Sequence, residues 1–147
     1  MNKTVIEFDN TRVLIPFQKH SGHSYLSPIA DVLVSNPING KSVAFTSKFL
    51  IDTGASISIL NRGFNDFILD SEPTVVDHVR IVYGTGNAKS LPIYNLRFSI
   101  KGHTLDIHTA HDKDLLIHNL IGMYGFINRL DGLIVHPKST KRVSLWQ

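Results

Sequence analysis

Apolar residues in this sequence come in short runs broken by turn residues, and that texture restricts the chain to a β-rich fold. Runs of about 4–8 residues bounded by Gly, Pro, Asn or Asp suit strands and are too short for most helices. Strands are expected at Val13-Leu14-Ile15, Ile29 to Val34, Lys48 to Ile51, Ile57 to Leu60, Val79 to Tyr83, Leu91 to Ile100 and His103 to His111. Asn36-Pro37-Ile38-Asn39-Gly40 is a strong turn, because Asn-Pro and Asn-Gly both favour turn geometry, and it predicts a hairpin. Gly84-Thr85-Gly86-Asn87 is the expected turn of a second, longer hairpin, and Pro92 fits an edge better than a central strand. Leu133-Ile134-Val135 and Arg142 to Trp146 flank Pro137-Lys138-Ser139-Thr140 as a closing hairpin, and His20 to Pro28 reads as a loop. Only Met123 to Leu130 looks helical, entered from Gly122 and stopped by Asp131-Gly132. The expectation is one all-β domain with a single short helix near its C-terminal end.

Composition narrows the functional classes. A chain of 147 residues with 42% apolar residues can bury a real core. It carries a formal charge of +3 and a pI near 9.3, but the basic residues are dispersed from Lys3, Arg12 and Lys19 to Arg142. Without a block of like charge, a nucleic-acid partner is not expected. There are no cysteines, which removes disulfides, thiolate metal sites and a cysteine nucleophile. The segment from Met1 to Asp9 has no apolar core of a signal peptide, and no stretch approaches the roughly 20 apolar residues of a membrane span. A cytoplasmic setting is the default expectation, with a virion or element particle as the variant if the chain is cut from a polyprotein.

The chemistry is concentrated in Phe49-Leu50-Ile51-Asp52-Thr53-Gly54-Ala55-Ser56. Three large apolar residues lead a carboxylate toward a dehydrated site. Gly54 lets backbone approach that carboxylate with no Cβ in the way, and Thr53 offers a hydroxyl to fix the loop. One carboxylate cannot activate a water and protonate a substrate oxygen at the same time. Two that share one proton can, because like charges about 3 Å apart do not both ionise. The pair then titrates as a unit. No second aspartate in the chain has the same setting: Asp131-Gly132 lacks the intervening Thr or Ser, and Asp31, Asp66, Asp70, Asp77, Asp106, Asp112 and Asp114 lack the glycine spacing. The partner carboxylate is therefore expected from a second copy across a twofold axis.

Leu50-Ile51-Asp52-Thr53-Gly54-Ala55 resembles the active-site signature of the retropepsins, the retroviral and retrotransposon-type aspartic proteases. Two further segments agree in order and spacing. Tyr83-Gly84-Thr85-Gly86 sits where the flap tip of that family would be, and Leu120-Ile121-Gly122 resembles its hydrophobic-hydrophobic-Gly motif. The resemblance covers residues 27–147 and leaves 1–26 as an N-terminal extension without a counterpart. It implies a single-lobe, homodimeric acid-protease barrel that hydrolyses peptide bonds with Asp52 from each subunit. It further implies that Thr53 interlocks with its twin, and that Gly54 and Ala55 line the cleft. Tyr83, Gly84, Thr85 and Gly86, with Asn87, would fold over an extended polypeptide. The chain ends would build the dimer sheet, which gives Arg142 to Trp146 a role. Asn87-Ala88-Lys89-Ser90 departs from the family, being polar where retroviral flaps run glycine-rich and apolar.

Competing readings are weaker. Gly84 to Ser90 is not a phosphate loop, since no Gly precedes Lys89 and Leu91-Pro92 bars the helix that should follow. His20 and His23 lie on a polar stretch, and His108 and His111 face opposite sides of a strand, so no metal site is expected from them or from His103 and His118. No cofactor is called for by a water-activating dyad. The alternative to an enzyme is the same fold used as a catalytically weak dimerisation or protein-binding module.

Overall fold

A 13-residue strand that pairs with three others closes this molecule into a barrel. In a computed structural model, residues 13–16, 18–19, 26–64, 66–69, 74–129, 132–136 and 142–146 are described. The strands are β1 (Val13–Pro16), β2 (Gln18–Lys19), β3 (Leu26–Ser27), β4 (Ile29–Ser35), β5 (Ser47–Ile51), β6 (Ser58–Leu60), β7 (Val75–Val82), β8 (Ala88–Ile100), β9 (His103–His111), β10 (Asn119–Ile121), β11 (Gly132–His136) and β12 (Arg142–Trp146). Going round the barrel, the order is β4, β5, β10, β6, β9, β8 and back to β4, through the pairs Leu33 with Ser99 and Val34 with Phe98. The result is a closed six-stranded barrel in a mostly β chain. β1, β12 and β11 form a separate three-stranded sheet, so Val13–Pro16 of the expected N-terminal extension pairs with the C-terminal strand. No helix of the described residues is long and apolar enough to cross a membrane.

The barrel strands carry apolar residues on both faces, which explains why their sequences run apolar without clean alternation. Phe49, Ile51, Leu60, Tyr94, Leu96, Phe98, Ile107 and Ile121 belong to the inner core, where the Phe49 and Phe98 rings lie 5.0 Å apart. Ile57, Ile59, Ile81, Leu91, Ile93, Ala110 and Leu120 form a second cluster, with Leu50, Val79 and Tyr83 packed against it. Leu50 thus faces away from Phe49 and Ile51, as the period of a strand dictates. The second cluster joins the barrel to the hairpin of β7 and β8, since it draws residues from both.

That hairpin projects beyond the barrel. β9 pairs with β8 from Ile93 onward, whereas Ala88 to Pro92 pair only with β7. Pro92, expected at an edge, lies opposite His78 and beyond the last β9 pair, where its missing N–H costs no second ladder bond. The turn at Asn36–Gly40 is also present: Gly40 has φ +74°, and the buried Asn36 side chain donates to the Ile68 carbonyl at 2.9 Å.

The expected helix over Met123–Leu130 is corrected. Only Ile127–Arg129 coils, as a single 3-10 turn. The Met123 and Tyr124 N–H groups donate to the carbonyls of Ala55 and Ser56, each at 2.9 Å, and Tyr124 bridges to Ile57. Gly125, at φ +83°, then leaves helical geometry. The Ile127 and Asn128 N–H groups accordingly reach back five residues, to the Gly122 and Met123 carbonyls, where an α-helix would reach back four. Leu130 lies outside the described residues.

Candidate active site

Three chain segments meet at Asp52. β10 lies between β5 and β6, parallel to the first and antiparallel to the second. The Asp52 N–H donates to the Ile121 carbonyl at 2.9 Å, extending the β5–β10 ladder by one residue into the loop. The loop then turns tightly: the Ala55 N–H donates to the Asp52 carbonyl at 3.2 Å, and the Gly54 N–H donates to Asp52 Oδ1 at 2.8 Å. A Cβ on Gly54 would stand 3.2 Å from that same oxygen, so the glycine leaves room for the carboxylate held by its own loop. Across the loop, the Gly122 N–H donates to Ser58 Oγ at 3.0 Å, and Ser58 is fully buried.

Asp52 opens onto a cleft of about 450 Å³. Gly54, Ala55 and Ser56 form one side, Ile81, Val82, Tyr83 and Gly84 of the hairpin another, and Ile59, Ile117 and Leu120 supply apolar wall. Asp52 is the one acidic side chain among these lining residues. Of the residues singled out in the sequence, Asp52, Gly54, Ala55, Tyr83 and Gly84 come together here. Thr53 is exposed beside Asp52, and Thr85 and Gly86 are exposed at the hairpin tip.

The tip has defined geometry. The Tyr83 N–H donates to the Asn87 carbonyl and the Gly86 N–H to the Tyr83 carbonyl, both at 2.8 Å. Gly86 adopts φ +89°. This is a three-residue hairpin loop that ends in a left-handed residue, a position suited to glycine.

Sequence reasoning missed the residue that grips both strands of this hairpin next to its tip. Asp112, only 1% exposed, follows β9 and donates its N–H to the Leu60 carbonyl at 3.0 Å. Its Oδ2 accepts from the Tyr83 hydroxyl at 2.5 Å. Its Oδ1 accepts from Lys89 Nζ at 3.2 Å and from the Asp114 N–H at 2.9 Å. Burial alone would raise the carboxyl's pKa, but the bonds from Tyr83, the Asp114 backbone and Lys89 outweigh it and hold the pKa below its usual value. Burial, followed by the Asp112 hydrogen bond and charge, pushes the Tyr83 hydroxyl well up. The available signal was local: an Asp that ends a strand and accepts the N–H two residues on is a common turn former.

No protein-family model and no curated protein sequence matches the chain. The site therefore stands on its own geometry. Among the described residues, no group of three or more His, Asp or Glu side chains converges in a way that could hold a metal ion. His108 is exposed and His111 buried, with Thr109 and Ala110 between them both buried.

Proposed function

We propose that the chain is one half of an aspartic endopeptidase of retropepsin type, in which Asp52 of two copies forms the catalytic pair. The observation that carries this reading is a carboxylate held by a Gly54 N–H at the floor of an apolar cleft that a glycine-tipped hairpin borders. The cleft contains one carboxylate where the chemistry requires two, which a second copy of the chain would supply. Val82, Leu116 and Ile117 are 65%, 78% and 55% exposed. Apolar exposure at Val82 and Ile117, two cleft-lining residues, fits a half-site that substrate and partner would cover.

In the paired site, one Asp52 is ionised and takes a proton from the bound water, while the other, protonated, gives its proton to the substrate carbonyl oxygen. Water adds to the peptide carbon, and the amine leaves with a proton from the pair. Gly54 and Ala55 border the path of the peptide backbone, and the hairpin tip closes from above to exclude water. Ile59, Ile81, Val82, Ile117 and Leu120 favour an apolar side chain beside the scissile bond.

The test is digestion of a diverse peptide mixture by the purified protein and by Asp52→Asn, at mildly acidic and neutral pH, with new termini read by mass spectrometry. Cuts made by the wild type alone support the assignment. Absence of cuts from a folded, dimeric protein, or equal cutting by the variant, overturns it in favour of a binding module.

A further inference from the structure

The hairpin over the cleft is tied down at both of its strands, and to the same atom group. Tyr83 is the last residue before the tip and Lys89 the second residue after it, if Asn87 is taken as the tip's end. Both reach the buried carboxylate of Asp112, one to each oxygen. Asp112 is itself fixed to the barrel through its backbone bond to Leu60. Lys89 also reaches Asp114, at 3.3 Å. Below these contacts, Ile81 and Leu91 pack in the cluster shared with the barrel. Above them lie Gly84, Thr85, Gly86 and Asn87, all exposed.

We infer that Asp112 is a positioning residue for the proposed peptidase, anchoring the hairpin stem through Tyr83 and Lys89 so that closure over substrate is confined to the tip, Gly84 to Asn87. The Tyr83 hydroxyl is committed to this anchor, and what Tyr83 offers the cleft is its ring. Lys89 has the same task, which accounts for a cation in a stretch that the resemblance would fill with glycine or apolar residues. A tip that bends on a fixed stem retains the register of β7 against β8 while it meets the peptide. The inference rests on the proposed activity for its purpose, but the anchor itself is measurable without any substrate.

The experiment is amide hydrogen exchange on the full chain, followed residue by residue in wild type, Asp112→Asn, Tyr83→Phe, Lys89→Met and Lys89→Arg. Exchange at Val82 to Lys89 is expected to rise by about tenfold or more in the first three variants, the scale for losing hydrogen bonds to a charged group. β4 and β5 should remain protected throughout, and Lys89→Arg should hold the stem as the wild type does. Kinetics on the peptide that the wild type cuts fastest should show KM raised more than kcat is lowered in Asp112→Asn and Tyr83→Phe. Unchanged exchange at the stem, or a rise spread equally over β4 and β5, overturns the anchor. Should Asp112→Asn fail to fold, Tyr83→Phe and Lys89→Met decide by the same readout. A wild type that cuts no peptide refutes the proposed activity, and the exchange pattern still decides whether Asp112 holds the stem.

Discussion

Gly122 lies against the backbone of Ile57 so closely that a Cβ built on it would stand 2.4 Å from the Ile57 carbonyl carbon and oxygen and 2.8 Å from its nitrogen. No rotamer relieves such an overlap, because every atom involved is main chain. Gly122→Ala must separate β10 from the Asp52 loop, and we expect a loss of about 3 kcal/mol. Denaturant unfolding of the two proteins checks this, and an unchanged midpoint would refute the close packing.

At the hairpin tip, Gly84 and Gly86 should behave differently although both are exposed. Gly86 has φ +89°, while Gly84 has no positive φ and open space around its Cβ position. Gly86→Ala should strain the turn by about 1–2 kcal/mol, and Gly84→Ala should leave it intact. Amide exchange at Tyr83, whose N–H closes the loop, distinguishes them.

Asp52→Asn should abolish peptide cleavage, by about 10³-fold or more, because the amide can neither take nor give the proton the reaction needs. Stability should hardly change. Asp52 is partly exposed, and an amide oxygen can still accept the Gly54 N–H. Parallel measurements of turnover and thermal unfolding separate lost chemistry from lost folding.

Acidification should weaken the fold in two steps. Burial lowers the pKa of His111, which is 4% exposed; the charges of Asp66 and Asp112 oppose that shift and Lys113 reinforces it. A base with a depressed folded pKa stabilises the native state above its unfolded value and loses that contribution as pH falls. Stability should therefore begin to drop below about pH 6.5. His111→Gln should flatten that limb. Asp112, also held below its usual pKa, should add a second loss below about pH 4. Urea midpoints across this range provide the check.

Most of the longer strands and the turns at Asn36–Gly40 and Gly84–Asn87 were legible because their causes are local, whereas Leu26–Ser27 forms a short strand with Gln18–Lys19 inside a stretch expected to be a loop, and β7 starts at Val75 rather than Val79. Asn36, Gly40 and Gly86 occupy positions that turn geometry demands, and the apolar runs at Ile29 to Val34 and Leu91 to Ile100 mark core strands, which the structure extends to Ser35 and back to Ala88. The Asp52 loop was legible for the same reason, since Gly54 bonds to a carboxylate only two residues away. Long-range capture was not legible. Met123 and Tyr124 are held by residues 55 and 56 and Gly125 turns to a positive φ, so a helical pattern yields a turn. Asp112 meets Tyr83 and Lys89 across 29 and 23 residues of sequence, and its lack of a neighbouring glycine said nothing of that role.

Among the described residues, β7 is the single open edge of the barrel sheet, because β4 at the other end closes onto β8. An unpaired edge invites another strand to add to it, and the same hydrogen-bonding groups that would accept a stray chain could nucleate stacking into fibres. β7 carries Asp77, His78 and Arg80 exposed along its length and a register shift between Val75 and Asp77. Charge and irregularity of this kind make a poor template for edge-to-edge growth. Resistance to edge-to-edge pairing is thus expected of the strand that also supports the cleft, and replacing Asp77 and Arg80 by valine should expose a tendency to aggregate without altering the barrel beneath.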